Sequence, residues 1–201
     1  MKKQLIISVG RQFGSAGHVI AKKLAERFEL PYFDSNLLEH IAEQKNIDHS
    51  ELRKYDEQPK SVLLHRTVRG YSSSLEDNVA ELQFDYLREM AKEGKSFVIV
   101  GRCAEDVLRG TEGLVSIFVI SDEEDKIARV METEKLSRKA SIDLMKKKDI
   151  KRMTYHNNHC KGKWGDANNY DLIVNSSLLG IDKTTDLLEK YVLMRTAGSE
   201  S

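Results

Sequence analysis

The stretch that most limits what this chain can fold into is LIISVGRQFGSAGHVIAKKLAERF, from Leu5 to Phe28. Leu5 to Val9 is a short apolar run bounded by glycine, which predicts a buried strand. Gly10 to Gly17 is a loop rich in Gly and Ser. His18 to Phe28 then carries Ile20, Leu24 and Phe28, with Ala21 and Ala25, as an apolar stripe at helical spacing. A strand, a glycine loop and a helix N-terminus in succession aim unpaired backbone N–H groups and the positive end of a helix dipole at one place. Gly14 and Gly17, with small Ser15 and Ala16 between them, let an anion such as phosphate approach the backbone closely. A plain tight turn is the alternative reading.

The loop departs from the usual phosphate-binding pattern G-x-x-x-x-G-K-[ST]. Aligning its last glycine with Gly17 puts Gln12 in place of the first glycine and His18 in place of the lysine. Val19 takes the hydroxyl position that helps hold Mg²⁺. The backbone cradle survives, but its point charge must come from elsewhere, and Arg11 and Arg102 are the candidates in kind.

Pro31 to Phe33 predicts a second strand ending at Asp34, with Ser35 or Asn36 capping a helix that carries Leu37, Leu38 and Ile41. An acid just past a strand's C-terminal end stands where α/β sheets bind ligands. Residues 45 to 75 are polar and the least periodic. Within them Arg66 and Arg69 share a helix face and could grip a substrate phosphate, although a solvated charged face is the commoner outcome. Leu75 to Glu93 predicts a helix stopped by Gly94. SFVIV (96 to 100) predicts a buried strand, with Gly101 and Arg102 at its end, where an arginine can hold a phosphate through two parallel hydrogen bonds. An ion pair at the strand end is the alternative.

GLVSIFVIS (113 to 121) predicts a further strand without the terminal Asp that many phosphoryl-transfer enzymes place there. Ser121 would cap the following helix. Residues 126 to 163 are rich in Lys and Arg, which reads as a basic helical hairpin closing over polyphosphate, or more blandly as a solvated helix pair. His156, His159 and Cys160 fit no standard zinc spacing, so no metal site is expected there. Tyr170 to Asn175 predicts the last strand, and Gly180 to Met194 a closing helix capped at Asp182. About five strands separated by helices mean an α/β fold, a parallel sheet with right-handed crossovers and helices on both faces.

Composition narrows the function class. The 201 residues suit one domain (1–195, with 196–201 a frayed tail). Lys plus Arg (32) equals Asp plus Glu (32), which argues against a general nucleic-acid or membrane surface. No apolar run approaches the roughly 20 residues that span a bilayer. Cys103 and Cys160 form no framework, so a cytoplasmic setting is expected.

Four blocks, taken in order, resemble the cytidylate kinase-like family, a branch of the P-loop nucleoside monophosphate kinases. They are ISVGRQFGSAG with IAKKLAE, then LPYFDSNLL, then FVIVGRCAEDVLR, and finally KKKDIKRMTYHNNHCKGKWGDANNYDLIVNSS. The resemblance runs from about Leu5 to Ile181. It implies a three-layer P-loop fold with a helical lid (about 126–165) and an acceptor region (about 35–75). The activity it implies is phosphoryl transfer from ATP to a nucleoside monophosphate, CMP or dCMP first, with Mg²⁺ bridging the donor phosphates. By that likeness Gly14, Ser15, Ala16, Gly17 and His18, with Arg11, would hold the donor phosphates. Asp34 and Arg102, with Arg66 and Arg69, would face the acceptor. Arg152, among Lys148, Asp149 and Lys151, would be the lid arginine. Arg129 and Arg138 are further lid candidates, Ser15 and Asp34 the Mg²⁺ candidates, and Trp164 either packs an adenine or packs the fold. Two other readings stand beside this one: a nucleotide-binding protein without turnover, acting as a sensor or partner, and a kinase for a different small acceptor.

Overall fold

The computed structural model describes residues 3–45 and 75–197. The acceptor-side candidates Arg66 and Arg69, most of the 35–75 region and the end of the tail lie outside them.

Five strands form one sheet: β1 (Ile6–Arg11), β2 (Tyr32–Phe33), β3 (Phe97–Val100), β4 (Leu114–Ile120) and β5 (Leu172–Asn175), in the order β2-β3-β1-β4-β5. Every pairing is parallel, with Ile7 opposite Val98 on one side and Val115 on the other. Central strands buried on both faces need continuous apolar sequence, and β1, β3 and β4 supply it.

The helices are α1 (Gly17–Phe28), α2 (Leu37–Lys45), α3 (Leu75–Lys92), α4 (Ala104–Val107), α5 (Glu123–Glu134), α6 (Arg138–His159) and α7 (Ser176–Ala197). On one face of the sheet, Ile20 and Leu24 of α1 pack with Leu188 and Val192 of α7 over Ile7, Val98 and Ile117. On the other, Leu37 and Ile41 of α2 join Leu87 and Met90 of α3 over Ile6, Phe97 and Ile99. This is the expected three-layer α/β fold. Ile127, Val130 and Met145 make a small separate core between α5 and α6, with Phe13 from the glycine loop packed against it.

Several expected boundaries move. β1 runs on to Arg11, because its main chain continues pairing with β4 as far as Val119. Asp122, not Ser121, precedes α5. The Ser121 hydroxyl is drawn sideways to Ser177 Oγ at 2.7 Å, and that same Oγ accepts the Asp122 amide at 2.9 Å. Helical structure runs from Ser176 to Ala197. It is kinked at Gly180 (φ 73°, ψ 174°), a conformation that glycine adopts without steric cost. The part that follows Gly180 is the expected closing helix, and Asp182 in its first turn pairs with Lys23 on α1 at 3.1 Å.

Candidate active site

The site lies where β1 turns into α1. Ala16 is left-handed (φ 62°) and caps α1 without a side-chain bond. The helical ladder begins with the Ile20 N–H donating to the Ala16 carbonyl at 3.0 Å. The amides of Gly17, His18 and Val19 therefore precede the ladder, as the first amides of any helix do. A Cβ on Gly17 would stand 2.5 Å from Arg11 Cβ, and one on Gly14 (φ 83°) 3.0–3.1 Å from Val130 and Lys126. Both glycines are thus required by close packing. Ser15 is fully buried, and its hydroxyl donates to the Gln12 carbonyl at 2.9 Å. That bond turns the hydroxyl into the loop, and Ser15 does not line the cavity beside it. The Ser15 carbonyl in turn accepts the Ser176 hydroxyl at 2.8 Å, tying the loop to α7.

The helical hairpin α5–α6, acidic at the start of α5 and basic along α6, sits over this loop. Arg129 donates to the Gly14 carbonyl, and Lys126 Nζ to Gln12 Oε1 at 3.1 Å. The Asp149 carboxylate accepts the Phe13 amide at 2.7 Å. Arg152 donates to the Arg11 carbonyl at 3.5 Å and lies 5.3 Å over the Phe13 ring, with Lys148 Nζ 6.0 Å from the same ring. A cation above an aromatic face is attracted by the ring's quadrupole. The sequence reading does not mark Phe13, and it takes in Lys126 only as the first base of the 126–163 stretch. Their only signal is position: Phe13 stands inside the loop, and Lys126 is one helical turn from Arg129.

A cavity of about 320 Å³ opens between the loop and α5, lined by Arg11, Gly14, Ala16, Gly17, His18, Asp34, Arg129 and Arg152 among others. Arg11 and Arg152 also border a second, small cavity of about 30 Å³, where they meet the buried Arg102. Arg102 donates to the Asp34 carbonyl at 3.4 Å, and Arg11 pairs with the Asp34 carboxylate at 3.4 Å. Tyr32 donates its hydroxyl to the same carboxylate at 3.3 Å. Arg102 and Cys103 are both left-handed (φ 59° and 55°). Such non-glycine residues cost on the order of 1 kcal/mol each and cluster where a turn has a task. The Arg11 Nε is buried with no hydrogen-bond partner among the described residues.

Burial holds the His18 imidazole below its ordinary pKa; Asp34 opposes this, and Arg11 and Arg152 add to it. In the ligand-free chain near pH 7, His18 therefore does not supply the charge of the missing lysine. Burial pushes the Asp149 carboxyl up, against the Phe13 amide and the cations Arg152, Lys126 and Arg11. The Tyr32 hydroxyl is raised by burial and by Asp34.

Other candidates fall elsewhere. Lys151 lines neither cavity. Arg138 makes a two-pronged pair with Glu124 at 2.6 and 2.8 Å, clasping the two lid helices at the surface. The Trp164 ring meets Phe118 edge-on at 5.3 Å, so part of it serves packing. The His159 ring packs tilted against Tyr155 and edge-on against Phe84. The triad at this corner is instead Glu105, His156 and Cys160, whose ligand atoms lie within 4.8 Å of one another. His156 Nε2 and Glu105 Oε1 are 2.6 Å apart. Burial opposes the charge on His156, but hydrogen bonds to Cys160 and Glu105 outweigh it and raise its pKa to about 10. The hydrogen bond with Cys103 is the largest cause lowering the Cys160 thiol to about 7.

No helix of the described residues is long and apolar enough to cross a membrane.

The arrangement can hold an anion. It offers main-chain amides at a helix start and the guanidinium groups of Arg11, Arg129 and Arg152 lining one cavity. Comparison with known proteins agrees on the class. The cytidylate kinase-like family matches residues 6–178. An uncharacterised protein from Eubacterium ventriosum shares 35% identity at a TM-score of 0.75, over 94% of this chain and 98% of that one. Shikimate kinase from Bacteroides thetaiotaomicron has the same fold (TM-score 0.55, 15% identity, 94% of this chain and 98% of that one). So does shikimate kinase from Acinetobacter baumannii, solved with shikimate (TM-score 0.51, 12% identity, 100% of this chain and 97% of that one). No curated protein matches.

Proposed function

The chain belongs to the cytidylate kinase-like family, and from that premise we propose that it transfers the terminal phosphoryl group of ATP to a nucleoside monophosphate, CMP or dCMP first. The observation that carries this reading is the meeting of Arg11, Arg102 and Arg152 beside the glycine loop. Phosphoryl transfer asks little covalent chemistry of a protein. It asks for alignment and for positive charge at the equatorial oxygens.

In this reading the amides of Gly17 and His18 and the close approach allowed by Gly14 hold the donor phosphates. Arg11, with its buried Nε, neutralises them. Arg152, held over Phe13, reaches the transferred group as the 126–165 hairpin closes. Arg102 and Asp34 face the acceptor, which enters from the 35–75 side, where Arg66 and Arg69 would meet it. Asp34 orients the acceptor and is the one described acidic group lining the larger cavity on the sheet side. Mg²⁺ fits this donor set only in company with nucleotide, held by phosphates and water with Asp34 behind one water. There it would draw charge from the donor oxygens. Two free thiols suit the cytoplasm.

A second reading, nucleotide binding without turnover, is favoured by the neutral His18 and by Asp149 holding the Phe13 amide. The deciding experiment is a coupled ADP-release assay with ATP and Mg²⁺ against CMP, dCMP, UMP, AMP and GMP, with ATP binding measured by calorimetry. Turnover on one pyrimidine monophosphate supports the kinase and names its acceptor. ATP binding with no turnover on any of these acceptors overturns the nucleoside monophosphate kinase, in favour of the second reading or of a kinase for a different small acceptor.

A further inference from the structure

The corner behind Arg102 holds three ligand-bearing side chains that the proposed reaction does not use. His156 and Cys160 sit one turn apart at the end of α6, where the Cys160 amide donates to the His156 carbonyl at 2.8 Å. Glu105 comes from the opposite side, in α4. Glu105 and His156 are 4% and 5% exposed, while Cys160 is half-buried and gives access. We propose that Glu105, His156 and Cys160 form a binding site for one divalent cation of the zinc class.

The geometry of the second nitrogen supports this. The Trp164 amide donates to Asn157 Oδ1 at 2.9 Å, which sets that oxygen as an acceptor. His156 Nδ1 lies 3.4 Å from the same oxygen and so bears the hydrogen there. Nε2 is left facing Glu105 and Cys160. Metal-ligating histidines are held in this way, with the far nitrogen donating to an oxygen of the protein. Glu105 is oriented in turn by the Tyr170 hydroxyl, 3.3 Å from Oε1.

Size and charge agree. Zinc bonds of about 2.0–2.3 Å put tetrahedral ligand atoms about 3.3–3.8 Å apart. The three atoms here, all within 4.8 Å, need shifts of about an ångström, with the 2.6 Å contact between His156 and Glu105 opening as the cation replaces its proton. The adjoining cavity of about 30 Å³ has room for one small occupant. A carboxylate and a thiolate cancel the charge of a divalent ion, which matters because Arg11, Arg102 and Arg152 line the same cavity. An N,S,O donor set selects zinc over magnesium. The ion would clip α6 to the turn that presents Arg102.

The test is a cobalt(II) titration of the full chain kept reduced with a phosphine. The expected result is one equivalent bound, a thiolate-to-cobalt charge-transfer band, and loss of that band on adding one equivalent of zinc but not magnesium. Cys160→Ser should abolish the band, and His156→Gln should weaken cobalt binding at least about tenfold. No band in the unmodified chain at excess cobalt overturns the site, as does a band that persists in Cys160→Ser. If Cys160→Ser fails to fold by circular dichroism, the unmodified chain decides: zinc must raise its melting temperature where magnesium does not, and an equal response to both overturns the proposal. None of these readouts depends on phosphoryl transfer, so either proposal can fail without the other.

Discussion

The Asp149 carboxylate accepts the Phe13 amide at 2.7 Å, so the lid helix α6 and the glycine loop are joined by a bond that spans 136 positions of chain. The same carboxylate lies 3.7 Å from Arg152, one turn along α6. A negative group thus sits on a loop amide beside the arginine that the proposed reaction uses, in the sort of place an anionic ligand would seek.

Asp149→Ala should leave the Phe13 amide without its acceptor and lower stability by about 1–3 kcal/mol in urea unfolding. Asp149→Asn keeps an acceptor and removes the charge. Burial raises the folded pKa of Asp149, so its charge costs stability above the ordinary carboxylate range and costs nothing below it. The Asn variant should therefore gain on the unmodified chain as pH rises from about 3 to 7. A difference that is flat with pH overturns this assignment.

Gly17→Ala should already disturb the loop, since its Cβ would meet Arg11 Cβ at 2.5 Å. Gly17→Val should reduce ATP affinity by more than about tenfold, because Arg11 and the first amides of α1 move together. Calorimetry showing normal ATP affinity in a folded Gly17→Val would sink the cradle.

Arg102→Ala should lower turnover by about 10²–10³-fold, the scale seen when one preorganised charge donor is removed. Circular dichroism should stay native, although Arg102 is buried. Unchanged turnover would show that the strand end takes no part in the reaction.

His18 should couple ATP binding to pH. In the free protein burial depresses its pKa, so it is neutral near pH 7, and on its own it lowers stability as pH falls through about 6.5. Bound phosphates would favour the charged form and raise that pKa. ATP binding should then take up a proton and strengthen from pH 8 to 6. Calorimetry in two buffers of different ionisation enthalpy reads the proton directly, and His18→Gln should abolish it. His18→Lys should bind ATP more tightly at pH 8.

Much of this was legible in the chain because it is local. The apolar runs of β1, β3 and β4, the glycine loop before α1 and the Gly94 stop (φ 72°) all follow from neighbouring residues. So did the basic character of α6, and the cytidylate kinase-like resemblance now supported over residues 6–178. Contacts across the chain were not legible. Nothing near Ser121 says that its hydroxyl turns to Ser177, and nothing near Ser15 says that its own is spent on Gln12. The spacing of His156, His159 and Cys160 pointed at three residues of one helix end, whereas packing turns His159 onto Tyr155 and brings Glu105 from 51 positions away. By itself the sequence determined the elements and their order, because strand and helix periodicity are short-range properties. Only the tertiary structure decided which charges meet, because Arg11, Asp34, Arg102 and Arg152 come together through sheet order and lid packing, which no local spacing encodes.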